Sequence, residues 1–312
     1  MQSATGKTLP VKRHTKMRRF KKEYQLYLMI LPAFLFLLIF SYYPMHGIVI
    51  AFQKFLPAKG IWGSKWIGLT NFQQLLNMPG FWRAFRNTLV IAVWKIAMGI
   101  LLPVVFTLMM NELRSTFQKR LVQTFIYLPH FVSWVLLAGI FHKLLSVNGI
   151  VNRLITSTGG KAILFMADKK WFRFTLILTD VWKNFGYGTI VYLAAITNVN
   201  PELYEAATID GCGHWKQMIH VTLPAILPTI MLMTCLSVGN ILDGGFDQVY
   251  NMYNKMVYDT ADIIDTLVYR LGFESSKYGL STAASLFKSV IAMILVSVSY
   301  KAAYKLSGYQ VF

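Results

Sequence analysis

The hydrophobic positions of this chain fall into long unbroken runs separated by short polar stretches. Six runs, at 24–43, 88–110, 121–145, 174–197, 221–242 and 282–305, can each cross a hydrocarbon core of about 30 Å, which takes about 20 helical residues. Backbone groups in lipid have no water to bond, so such runs must close their hydrogen bonds internally and the pattern predicts helices. The expected fold class is all-α, a polytopic membrane protein with about six transmembrane helices. Pro32, Pro103, Pro129, Pro224 and Pro228 lie in or beside the runs and predict local kinks. The pairs Tyr42-Tyr43 and Phe81-Trp82 suit the aromatic belt at the membrane surface.

The polar stretches are unequal. Residues 1–22 form a basic tail and residues 23–312 the transmembrane domain. The segment 51–86 is too long for a turn and, with Trp62, Trp66 and several glycines, predicts a structured loop. In 243–281, Ile263, Ile264, Leu267 and Val268 make an apolar stripe, with Asp262 and Asp265 together on the other side. That is the pattern of a short, solvated surface helix.

Composition supports lipid as the solvent. With 55% hydrophobic and 14% charged residues and a mean hydropathy of +0.47, the chain has too few charges to cover a soluble domain of 312 residues. The net charge of +18 does not point to nucleic acid, because eight cations precede Tyr24 and many others flank apolar runs. The cluster before the first run places the N-terminus in the cytoplasm, and six spans then put the C-terminus there too. The two cysteines, Cys212 and Cys235, have neither metal-ligand nor disulfide-framework spacing, and the six histidines are scattered. No metal ligand and no catalytic residue is expected.

The stretch NPELYEAATIDGCGHWKQMIHVTLPAILP, 200–228, carries the most local information. Asn200 is a helix N-cap, Pro201 suits the first turn, and Glu202 and Glu205 complement the positive end of the helix. A short helix is predicted to about Asp210, with Gly211 as its left-handed stop. A second short helix should follow from His214 to Ile219, before Pro224 opens the fifth span. The result is a rigid elbow over 200–220, on which Ala206 and Ala207 leave room for a close approach.

This stretch resembles the EAA signature of permease subunits in binding-protein-dependent ATP-binding-cassette importers. Glu205-Ala206-Ala207, Asp210-Gly211 and Leu223-Pro224 fall at the signature's spacing, and Trp215 and Thr222 match its carbohydrate-importer form. Cys212 replaces the usual alanine, and Met218 stands where phenylalanine is common. The stretches QLYLMILPAFLFLLIFSYYPMHGIVIAFQKF, GIWGSKWIGLTNF, QTFIYLPHFVSWVLLAGIF and STAASLFKSVI are similar to the polysaccharide branch of the carbohydrate-uptake family, above all to its alginate-importing members. The resemblance covers nearly the whole chain from about Tyr24. It implies the type I importer permease fold in a bacterial cytoplasmic (inner) membrane. Its implied partners are a second homologous permease, two ATP-binding-cassette ATPase subunits and an extracytoplasmic solute-binding protein. Glu205, Ala206, Ala207, Asp210 and Gly211 would transmit ATPase closure. ATP and magnesium would be bound by the partner ATPase subunits, and this chain would carry no cofactor; Gly159-Gly160-Lys161 lacks the spacing and hydroxyl of a phosphate loop.

Ionisable groups inside spans cost roughly 2.5–3.5 kcal/mol at a helix centre, so each asks for a reason. Asp180, Trp182, Lys183, Asn184 and Tyr187 are read either as part of a sugar path or as local structure, with Asp180 and Lys183 paired at i, i+3. Asn240 and Asp243 are path candidates of the same kind. Lys95 and Lys288 are expected to snorkel to the headgroups. Basic outer loops (Lys143, Arg153, Lys161, Lys169, Lys170, Arg173) would concentrate a polyanionic sugar or an acidic binding protein. The function implied is import of an oligo- or polysaccharide, acidic and alginate-like. Import of a neutral oligosaccharide, a membrane-embedded transferase using Asp259, Asp262 and Asp265, and a passive channel are the alternatives.

Overall fold

The computed structural model describes residues 24–113 and 115–307, with side chains as far as Lys301, so the basic tail 1–22 lies outside the described residues. The chain divides into two units between Val49 and Ile50. The first is most of helix α1 (Tyr24–Phe52), which runs nine residues beyond its predicted end. It is α-helical to Leu37, widens to a π turn at Leu38–Tyr42 and tightens to 3-10 geometry from Tyr43. Pro44, which lacks an N–H, sits where the winding changes. Every residue from Tyr24 to His46 is exposed, the condition of a helix that is apolar all round and needs lipid or another chain about it.

The second unit begins with a two-residue antiparallel pair, β1 (Gln53–Lys54) with β2 (Lys65–Trp66), in register Gln53 to Trp66. Helix α2 (Thr70–Leu76) follows, and buried Asn71 ties it back by donating to the carbonyls of Ala51 and Gln53. The predicted structured loop is therefore real, but it ends early. Helix α3 (Pro79–Asn111) starts nine residues before the apolar run, because Pro79 fits the first turn and Phe81, Ala84 and Asn87 are buried. At 33 residues it extends about 50 Å at 1.5 Å per residue.

The third run is not one straight span. It is α4 (Thr116–Tyr127), a 3-10 turn at Leu128–Phe131, and α5 (Trp134–Leu144), with a bend of 102° between the two arms. Pro129 removes a donor, Val132 is extended, and the Ser133 side chain caps α5 by accepting from the Leu136 amide. After α6 (Ile150–Ser157) comes α7 (Lys169–Thr197), 29 residues long and capped by Asp168. The elbow helix α8 is Pro201–Ile209. The expected second elbow helix is instead the first turn of a continuous α9 (His214–Gly239). A π turn at Met218–Thr222 runs into Pro224, so the missing N–H falls where the winding is already wide and the helix does not stop. Helices α10 (Phe246–Met252), α11 (Ile264–Tyr269) and α12 (Tyr278–Ser307) complete the unit.

Among the described residues, α1, α3, α9 and α12 are long and apolar enough to cross a membrane, and α4 with α5 makes a fifth if the bent pair is one span. Helix α7 has the length but is more polar. Within the second unit α3 packs along α7, and α9 along α12. One core layer joins Ile91, Leu176, Met252 and Ile263; another, toward the far end of α7, joins Leu108, Tyr192, Ile196 and Ile226.

The 243–281 segment corrects the surface-helix expectation. Ile263 and Ile264 are fully buried, and Asp262 on the supposed solvated side is buried too. Asp262 takes two hydrogen bonds from the Arg270 guanidinium, at 2.7 and 2.6 Å, while Asp265 pairs with Lys288 at 2.5 Å. A stripe period reports one apolar face, but Arg270 at the end of the same helix and Lys288 of α12 cover the polar one as well.

Candidate functional site

The sequence-predicted residues fall into two places, the elbow and a polar layer inside the helix bundle. The elbow is fixed at both ends by its own backbone chemistry. Asn200 accepts from the Glu202 amide at 3.1 Å and donates to the Glu202 carboxylate at 3.0 Å. At the other end Gly211 has φ +75°, and the Cys212 and Gly211 amides bond back to the Ala207 and Thr208 carbonyls. That is a Schellman stop, which needs a left-handed residue where Gly211 stands. Side chains brace the turn: Gln217 donates to the Thr208 hydroxyl and the Cys212 carbonyl, and Tyr204 and Thr222 share a hydrogen bond at 3.0 Å.

Glu205, Ala206, Asp210 and Gly211 are exposed on this braced turn, and Ala207 is buried beneath it. Beside the elbow lies a cleft of about 690 Å³ lined by Glu112 and Leu113 at the end of α3 and by Tyr204, His214, Trp215 and Met218. His214 Nδ1 lies 3.4 Å from the Glu112 carboxylate, and the Trp215 ring is 73% exposed. An aromatic ring left so open at the rim of a cleft is the feature of this end that a partner would cover.

The polar layer does not pair as its spacing suggested. Asp180 bonds not to Lys183 but to Lys95 of α3, at 3.2 Å. Lys95 also donates to Gln248 Oε1 at 2.6 Å and to the Gly244 carbonyl at 3.1 Å, and buried Gln248 donates onward to the Leu176 carbonyl and the Thr179 hydroxyl. Lys95 therefore does not snorkel, and neither does Lys288, which meets Asp265. Both find a carboxylate inside the fold, which compensates them better than a long reach to the surface.

Lys183 instead serves the broken span. Its ammonium donates to the His130 carbonyl at 2.6 Å, reaches the Pro129 carbonyl at 3.5 Å and stands 5.7 Å from the centre of the Trp134 ring. Asn184 bonds His130 Nδ1 at 3.1 Å, and the Tyr187 ring stacks on the His130 ring at 4.4 Å. These residues hold the bend, where helical carbonyls have lost their normal donors. Trp182 and Tyr187 keep exposed ring surface, 44% and 54%. Asn240 and Asp243 are exposed in the turn from α9 into α10, where Asp243 accepts from the Gly245 amide.

Sequence reasoning missed Gln248 and His130 and misread Lys95, all of whose partners lie on other elements. It also missed a cluster of rings next to Asp243: Phe246 stacks on Tyr250 at 5.2 Å, and Tyr250 meets Tyr269 edge-on at 4.8 Å. The density of tyrosines in 250–269 was the available signal. The acidic trio is dispersed among cations, since Asp259 bonds both Arg83 and Lys169 while Asp262 and Asp265 have their own partners. No shared acid–base centre forms there.

Residues 95–308 match the family described as "Binding-protein-dependent transport system inner membrane component". Protein LplB of Bacillus subtilis is 43% identical over 281 residues, covering 90% of this chain and 88% of that protein. The polygalacturonan/rhamnogalacturonan transport system permease protein YteP of the same organism is 44% identical, with the same coverage. Among solved structures, a bacterial ABC transporter involved in the import of the acidic polysaccharide alginate superposes with a TM-score of 0.86 at 37% identity, covering 93% of this chain and 99% of its own. The alginate transporter in complex with its pentasaccharide-bound periplasmic protein gives 0.88 at 35% identity, over 96% and 100%. The fold is that of a type I ABC importer permease.

Proposed function

The chain belongs to the family of binding-protein-dependent transport system inner membrane components, and from that membership we propose that it conducts an acidic oligosaccharide inward and is coupled to its motor through the elbow at 200–220. It is a carbohydrate-importer permease of the inner membrane, a transport subunit and not an enzyme. An extracytoplasmic binding protein delivers the sugar.

The observation that carries the mechanical part is the braced elbow. The Asn200 cap, a Schellman stop and three side-chain bonds make α8 move as one body with the start of α9. Glu205, Ala206, Ala207, Asp210 and Gly211 form the surface, with its buried support, that docks into a groove on one of the two ATPase subunits. ATP and its magnesium belong to those subunits. Closure of the ATPases tilts the elbow, α9 follows, and a pathway shared with a second, homologous permease changes its open side. The elbow and both termini then face the cytoplasm. The opposite end faces out, with Lys169, Lys170 and Arg173 at the start of α7 and Trp182, Tyr187, Asn240 and Asp243 beyond them as path residues.

The acidic character of the cargo rests on two supports. The polygalacturonan/rhamnogalacturonan and alginate transporters are among the most similar proteins, and the cations of this outer end outnumber Asp168 and Asp259 beside them. A neutral cargo is the second reading, favoured by the lactose permease protein LacF of Rhizobium radiobacter, 29% identical over 86% of this chain and 90% of its own.

The deciding experiment reconstitutes the chain with its partner permease, ATPases and binding protein in proteoliposomes. Uronate oligomers are expected to stimulate ATP hydrolysis and neutral maltooligosaccharides are not. Stimulation by the neutral sugars alone would reject the acidic cargo and leave the neutral one. Retention of the ATPases and full uptake by Glu205→Lys would reject the elbow as the coupling surface.

A further inference from the structure

A second cavity, of about 500 Å³, lies between α3 and α7 on the outside of the bundle. Its floor is apolar, formed by Val90, Trp94, Met98 and Leu102 of α3 against Phe174 and Leu178 of α7. The α3 residues recur every fourth position, so the floor runs about 18 Å along the helix axis. Lys170 and Arg173 line one end. The polar character of this groove is thus confined to a single terminus.

The charges at that terminus are poorly compensated. Arg173 is held in place by donating to the Thr260 carbonyl at 3.1 Å and to Asn87 Oδ1 at 2.9 Å, both neutral acceptors. Of the nearby carboxylates, Asp259 is engaged by Arg83 and Lys169, and Asp168 accepts from the backbone amides of Lys170 and Trp171. Among the described residues the Arg86 and Lys170 side chains have no hydrogen-bond or ion-pair partner. Trp82 and Trp171, exposed by 47% and 41%, stand at the same level, where indole rings mark the headgroup zone.

A cationic head above an apolar slot matches an amphiphile with one charged end. A transmembrane helix of another chain would fill the slot but would need acidic residues at one level to answer these cations. A saccharide would find almost no hydrogen-bonding group along the floor. We propose that this groove binds an anionic phospholipid, with an acyl chain along the α3–α7 floor and the phosphate at Arg86, Lys170 and Arg173. Such a lipid holds α3 and α7 together on the side away from the Lys95–Asp180 pair and answers a charge excess that the protein does not.

The test uses the assembled importer in detergent with equal phosphatidylglycerol and phosphatidylcholine, read by native mass spectrometry. Retention is expected to favour phosphatidylglycerol by roughly tenfold, since each cation near an anionic headgroup contributes several-fold. The double variant Arg86→Gln, Lys170→Gln is expected to lose that preference. Leu178→Trp, which fills the groove and keeps every cation, is expected to lower retention of both lipids. On the wild-type background, a benzophenone side chain replacing Trp94 should crosslink to lipid. Equal retention of the two lipids, an unchanged preference in the double variant, or a crosslink to protein instead of lipid would each overturn the proposal.

Discussion

Lys95 of α3 and Asp180 of α7 meet at 3.2 Å inside the bundle, and the lysine's remaining bonds go to Gly244 and Gln248 in the turn and helix after α9. One ammonium thus ties three separate parts of the fold. Removing one member of a buried pair leaves the other charge uncompensated. Lys95→Met is therefore expected to destabilise by about 3–5 kcal/mol. The double variant Lys95→Met, Asp180→Leu should recover part of that loss. Thermal unfolding of the assembled importer in detergent checks both, and a double variant less stable than the single would contradict the pairing.

Gly186 is where α7 passes closest to the broken span. A Cβ built there would stand 2.1 Å from the Ile126 carbonyl oxygen, a backbone atom that cannot turn aside. Gly186→Ala should cost at least the 1–3 kcal/mol typical of overpacking and loosen the bend that Lys183 holds. Gly99→Ala on α3, which meets nothing within 4 Å, is the matched control. Hydrogen exchange over residues 124–133 should rise in the first variant and stay unchanged in the second.

Asp259, outside the membrane spans, has its pKa lowered by hydrogen bonds from Lys169 and Arg83 and by their charge. A carboxyl with a lowered folded pKa adds stability above its unfolded value, about 3.9, and loses it as pH falls through the folded value. The melting-temperature gap between the wild type and Asp259→Asn should therefore be constant from neutral pH to about 5 and close on further acidification. A gap that stayed the same at low pH would show that the ion pairs add nothing. The side chain is solvent-accessible, so the gap should also shrink with added salt.

Within the elbow, Gly211→Val forces a β-branched residue to φ +75°, while Gly213→Ala sits at φ −71° with open space around its Cβ. The first should reduce sugar uptake roughly fivefold or more, the scale of a lost coupling free energy, and the second should not. Asn200→Ala should cost about 1 kcal/mol of cap energy and give an intermediate phenotype. Uptake of labelled oligosaccharide at matched expression is the measurement.

The sequence by itself determined what depends on solvent and on near neighbours. Long apolar runs must be helices in lipid whatever surrounds them, and Asn200, Pro201 and Gly211 set the ends of α8 through bonds that reach no more than five residues. Tertiary structure decided everything that depends on who faces whom. Pro129 announced a kink, but the 102° bend needs Lys183 to answer two carbonyls and Gly186 to let α7 approach. Asp180 had a partner at i, i+3 by helical spacing and took one from α3, because a buried carboxylate gains most from a cation that packing brings alongside it. Asp265 looked solvated for the same reason in reverse: periodicity along one helix marks its apolar side and carries no information about Lys288 of α12, which arrives to cover the other.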